Sequence, residues 1–173
     1  MKRLIYIFVL IVLFLITASP VRAQDLVAGE SGTIKTTFQQ DEFDFRVENL
    51  KLYLQKNNSP LTDYAAEFVN YADIYGLDYR LVPAITGVES TFGVHIPYKS
   101  FNAYGWSNGE YKFISWEDSI GHVSMSLRTK YLDKGAGTIN KIARRYAPPS
   151  ITWAPKVKNI MVKIDRLPLS YDI

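Results

Sequence analysis

At 173 residues the chain has room for one domain of ordinary size. It has no cysteine, which excludes disulfides, thiol catalysis and cysteine-ligated metals, and its two histidines, His95 and His122, stand in no metal-binding spacing. No Lys/Arg run exceeds a pair such as Arg144-Arg145 and no nucleic-acid-binding motif is present, so a nucleic-acid partner is not expected, and neither is a metal or cofactor.

The first 23 residues read as an export signal. Met1-Lys2-Arg3 is a basic start, Leu4 to Thr17 is apolar, and Val21-Arg22-Ala23 supplies small residues at the positions a signal peptidase reads. The alternative is an uncleaved membrane anchor through residues 4–19, although the apolar run is just short of the roughly 20 residues that span a bilayer. Lys2, Arg3 and Arg22 lie in this segment, and without them the 20 basic residues of the whole chain fall level with its 17 acidic ones. Residues 24–40 are rich in Gly, Thr, Ser and Gln and read as a linker, leaving 41–173 as the folded domain.

The domain reads as mainly α. A first helix is predicted from about Asp44 to Asn57-Asn58, with Phe45, Leu50, Tyr53 and Leu54 on one side. Ser59-Pro60 signals a second helix, with Ser as N-cap and Pro at the first helical position. Its stripe of Tyr64, Phe68, Tyr71, Ala72 and Tyr75 has helical spacing and reads as core in preference to a sugar platform, and Gly76 ends it. Asp78 can cap a third helix that tolerates Pro83 only near its start and delivers Glu89 at its C-terminal end.

Residues 90–115 carry several glycines and aromatics without helical period. Asn108-Gly109 between Trp106 and Tyr111 predicts a small β-hairpin with a type I′ turn. Ser115-Trp116-Glu117-Asp118 is a capping-box start for a helix carrying Ile120, Val123, Leu127 and Tyr131 that stops before Gly135. Two more helices are predicted, over about 138–146 and 153–166, separated by Ala147-Pro148-Pro149-Ser150.

Glu89 is the residue with the clearest chemical signal. It follows the apolar run Leu81 to Val88 and opens onto Ser90-Thr91-Phe92-Gly93. At the buried end of a helix, low dielectric and the helix dipole both disfavour a carboxylate's charged form, which is what a general acid requires. A second carboxylate would serve an inverting glycosidase. Glu110 in the hairpin is the candidate, because Glu117 and Asp118 are accounted for as capping residues.

Four runs in order, Gly87-Val88-Glu89-Ser90-Thr91-Phe92-Gly93, Asn102-Ala103-Tyr104-Gly105-Trp106, Phe113 to Ile120, and Arg145-Tyr146-Ala147-Pro148-Pro149-Ser150 with Trp153-Ala154, resemble the lysozyme-like glucosaminidases and lytic transglycosylases of bacterial cell-wall turnover. The resemblance covers about residues 41–165 and implies a lysozyme-like α+β fold with a hairpin beside a cleft. It makes Glu89 the catalytic acid and brings Tyr146 to it and to the sugar's acetamido group. It makes Asn102, Ala103, Tyr104 and Gly105 the cleft floor, with Ser90 stabilising the helix end and Trp106 and Trp153 as sugar-stacking or core residues. The predicted hairpin is shorter than the lobe that usually carries the second acid, so the substrate's own acetamido or 6-hydroxyl group is an alternative to Glu110. The expected protein is a monomeric, secreted or envelope-held enzyme acting on peptidoglycan glycan strands. A non-catalytic glycan-binding envelope module is the rival.

Overall fold

Leu81–Ser90, the helix that carries Glu89, is largely buried, and the reason is its composition. Six successive residues, Leu81 to Thr86, are buried, so the helix has no solvated face in its first half and must be covered on all sides. The computed structural model of the chain describes residues 43–166. The export signal over 1–23, the anchor alternative over 4–19 and the linker over 24–40 lie outside the described residues, as do the domain's last residues, 167–173.

Among the described residues six α-helices follow one another: α1 (Phe45–Lys56), α2 (Ala65–Tyr75), α3 (Leu81–Ser90), α4 (Trp116–Ser126), α5 (Ile139–Tyr146) and α6 (Trp153–Ile164). α3 packs chiefly on α6, and α2 on α4. Gly87 permits the first of these contacts, because a Cβ there would stand 2.5 Å from the Phe92 ring and 2.9 Å from Ile160 Cδ1. Leu50, Leu54, Phe68, Ile85, Ile120, Val123, Leu127, Val157 and Ile164 form the shared core, each contributing about 1.5–3 kcal/mol by leaving water. No helix among the described residues is long and apolar enough to cross a membrane.

Most helix ends follow the sequence signals. Asp44, Ser115 and Thr138 cap α1, α4 and α5 by accepting from the amides of Arg46, Asp118 and Lys141, and Gly76 ends α2 in the left-handed conformation at φ 57°. Pro83 is the third residue of α3, where its missing N–H would have had no helical partner. Arg80 joins this end of the helix to the end of α6 by pairing with both Asp78 and Asp165. Three features depart from the signals. Asp78 does not cap α3: Arg80 holds the N-cap position without a side-chain cap, and Asp78 Oδ1 accepts from Arg80 N at 3.0 Å. The segment after Ser59-Pro60 first makes a 3₁₀ turn, Thr62–Tyr64, before α2 begins, and Phe45 is exposed, its ring edge-on to Phe43.

The predicted hairpin is absent: no β-strand occurs among the described residues. Trp106–Gly109 instead forms a tight 3₁₀-type turn, with Ser107 and Asn108 both left-handed at φ 53° and 54°. The turn chemistry was read correctly, but the flanks do not pair because a side chain takes their polar groups. Asn102 Nδ2 donates to the carbonyls of Trp106 at 2.9 Å and Tyr111 at 3.0 Å, while its Oδ1 accepts from Trp106 N at 3.0 Å. One buried amide thus replaces the rungs of a ladder. Beyond α4 the chain widens into a π-helical stretch, Leu127–Leu132, in which Asp133 N donates to Arg128 O.

Candidate active site

The site begins with how α3 ends. Thr91, Phe92 and Gly93 are left-handed in succession, at φ 54°, 57° and 83°, and fold the chain sharply back over the last turn of the helix. For Thr91, a β-branched residue, this is a strained conformation costing on the order of 1–3 kcal/mol. Packing opposes the strain. Phe92 is buried beneath Gly87, its carbonyl accepts from Ser59 Oγ at 2.7 Å, and its amide donates to Thr86 O at 3.0 Å. Ser90 Oγ accepts from Gly93 N at 2.9 Å and donates to Ala103 O at 2.8 Å, tying the helix end to the loop across from it.

Glu89 is carried at this end and faces a cleft of about 540 Å³. It is exposed, which corrects the expectation of a buried carboxylate: α3 is buried as far as Thr86, but its last turn emerges at the cleft. Its orientation is nevertheless fixed. Trp153 Nε1–H donates to Oε1 at 2.6 Å, and Oε2 lies against Gly105, where a Cβ would approach to 3.3 Å. Gly105, at φ 65°, is therefore required twice, for its backbone angle and for the space it leaves the carboxylate.

Trp153 is 3% exposed at the start of α6, and its indole stacks on Tyr146 with ring centroids 5.1 Å apart. Tyr146 in turn donates its hydroxyl to Tyr104 O at 2.8 Å. Burial, and then the neighbouring Glu89 charge, hold this phenol well above its ordinary value, so it remains a donor. Tyr146 thus meets the site through its ring, and its hydroxyl is committed to the backbone of the cleft floor. The chain of contacts from Tyr104 through Tyr146 and Trp153 ends on the Glu89 carboxylate.

The remaining residues read from the sequence divide clearly. Ser90, Asn102, Tyr104 and Gly105 line the cleft with Glu89 and Tyr146. Ala103 is fully buried and contributes only its carbonyl, to Ser90. Trp106 lines an adjoining hollow of about 270 Å³ together with Tyr131 and Tyr146, and Lys130 lies 5.6 Å above its ring. Glu110 is exposed and is not among the residues lining either space. Glu117 is exposed, and Asp118 accepts from Ile114 N at 3.1 Å.

Two residues enter that sequence reasoning did not choose. His95 lines the cleft because the turn at 91–93 returns it to α3, where its amide donates to Ser90 O at 2.9 Å. Tyr131 reaches the adjoining hollow from the π-helical stretch. The glycine of Thr91-Phe92-Gly93 was the available signal for the first, since it marked a reversal within a few residues of Glu89. No family model matches the chain, and no curated protein matches it significantly.

Proposed function

We propose that the chain is an exported peptidoglycan glycosidase that cleaves β-1,4 bonds between N-acetylated aminosugars, with Glu89 as general acid. The observation that carries this reading is the carboxylate itself: it opens into a cleft of sugar-accommodating size, with Oε1 held by an indole N–H and Oε2 against a glycine. A surface carboxylate kept only for solubility needs no such fixing. Sugar bound in the cleft would cover Glu89 and exclude water from the carboxyl group as it delivers a proton to the leaving oxygen. The aromatic rings of Trp106, Tyr131 and Tyr146 around the adjoining hollow suit a pyranose face. On this reading the protein has a lysozyme-like arrangement, works in the envelope or outside the cell, as a monomer, and its partner is the glycan strand.

The preferred reaction is endo-β-N-acetylglucosaminidase hydrolysis. A lytic transglycosylase, closing a 1,6-anhydro ring, is the second reading, favoured by one observation: Glu89 is the only carboxylate among the residues lining the cleft. Glu89→Gln tests the common core of both. The amide is nearly isosteric and cannot give a proton, so muropeptide release from purified peptidoglycan should fall by about 10²–10⁴-fold with circular dichroism unchanged. Activity within a few-fold of wild type would refute the assignment. Mass spectrometry of the products separates reducing N-acetylglucosamine ends from anhydromuramyl ends.

A further inference from the structure

A hydrolase must activate water as well as protonate the leaving group, and the cleft contains few groups able to take a proton. Tyr104 and Tyr146 are both pushed up by burial and keep their protons. The Asn102 amide is spent on the loop, and the Ser90 hydroxyl bridges to Ala103. Gly105, Gly109, Pro97 and Ala147 offer no such group, and the Asn108 amide is not basic. Beside Glu89 this leaves His95.

The His95 side chain is also uncommitted. Its backbone is anchored to Ser90, yet its imidazole makes no hydrogen bond, ion pair or ring contact with any described residue. His122, by contrast, is enclosed by the rings of Trp106, Tyr111 and Phe113. A strained left-handed turn, held in place by Phe92 and Ser59, thus brings one exposed, unpartnered imidazole to the same cleft as the oriented carboxylate. Strain retained beside a site is commonly part of how the site is arranged.

We propose that His95 is the second catalytic residue, the base that activates the attacking water. This rests on the reading of Glu89 as general acid. An imidazole nitrogen of His95 accepts a proton from water, and the water oxygen bonds to the anomeric carbon. The bond from that carbon to the leaving sugar breaks, its electron pair remaining on the leaving oxygen, which takes the proton of Glu89. Solvent then carries the proton from the imidazolium back to the Glu89 carboxylate, restoring the starting state.

The test uses the purified chain and purified peptidoglycan in oxygen-labelled water, with His95→Ala and His95→Gln. Both variants should fold as wild type, since the side chain is exposed and makes no hydrogen bond, ion pair or ring contact with a described residue. Each should lose about 10²–10³-fold in kcat with KM changed by less than about threefold, because base catalysis acts on the chemical step. Added imidazole should recover at least about tenfold for His95→Ala and nothing for His95→Gln, whose amide fills the space without accepting the proton. Wild-type products should carry the label at the new reducing end. The proposal is overturned if His95→Gln matches wild type, if only KM rises, if imidazole fails to rescue, or if the products are unlabelled anhydro sugars. In those cases Glu89→Gln would still abolish cleavage and the functional reading would stand. A wild-type protein that cleaves no glycan would overturn both.

Discussion

Trp153→Phe separates orientation of the Glu89 carboxylate from its mere presence. The substitution keeps an aromatic ring against Tyr146 but deletes the N–H that reaches Glu89 Oε1 at 2.6 Å. A hydrogen bond to a charged group contributes about 1.5–3 kcal/mol, so if the bond serves to hold the carboxylate in its reactive orientation, its loss corresponds to roughly 10- to 150-fold in kcat. The smaller ring also leaves a void at a residue only 3% exposed, costing on the order of 1–3 kcal/mol of stability. The two effects are read apart by measuring the melting temperature and the rate of muropeptide release at a temperature where both proteins are fully folded. A rate within threefold of wild type under those conditions would refute the claim that the indole orients the acid. A rate loss that appears only at temperatures where the variant is partly unfolded would refute it equally.

Tyr146→Phe removes the donor to Tyr104 O and should lower stability by about 1–3 kcal/mol and the rate by more than tenfold, since the ring it leaves is no longer tethered; a change in neither, by thermal melting and product release, refutes that tether. Glu110→Ala should leave the rate within about twofold, because this side chain does not line the cleft, and a loss of 10²-fold would show that the loop moves to the substrate. Thr91→Gly should stabilise the fold by up to about 1 kcal/mol in denaturant unfolding by relieving the left-handed angle, and an unchanged or lower midpoint would show that packing had already absorbed the strain.

The helices were legible because each carries its own instructions. Asp44, Ser115 and Thr138 accept the amides their spacing implies, Gly76 is left-handed, and the helix of Glu89 is apolar along the stretch, Leu81 to Thr86, that is enclosed. These are local signals, satisfied within a few residues. The loop from 100 to 114 was misread because its outcome turned on competition for polar groups: Asn108-Gly109 specifies a turn, but whether its flanks pair depends on Asn102, whose amide satisfies both of them first. His95 was missed for a related reason. Gly93 marks a reversal near Glu89, but that Thr91 and Phe92 are left-handed as well and carry His95 back to the helix is decided by where Phe92 and Ser59 pack. The family-like runs located Glu89, Tyr146, Gly105 and Trp153 in one place, yet not how they act together: the indole as donor and the phenol as tether require side-chain geometry.

The π-helical stretch Leu127–Leu132 bears on how the cleft tolerates change in chain length. Each residue of an α-helix advances the side chain by about 100°, and a π turn takes up one residue beyond the α-helical path. Leu127 at the start of this stretch is buried in the core, while Lys130 and Tyr131 further along it are aimed at Trp106 and Tyr146. Removing a single residue here would restore an ordinary helix and turn everything after it out of phase by more than a quarter of a revolution. One wall of the aromatic hollow would then swing away while the buried half of the same helix kept its seat, so the width of this hollow is set by angular register as much as by which side chains line it.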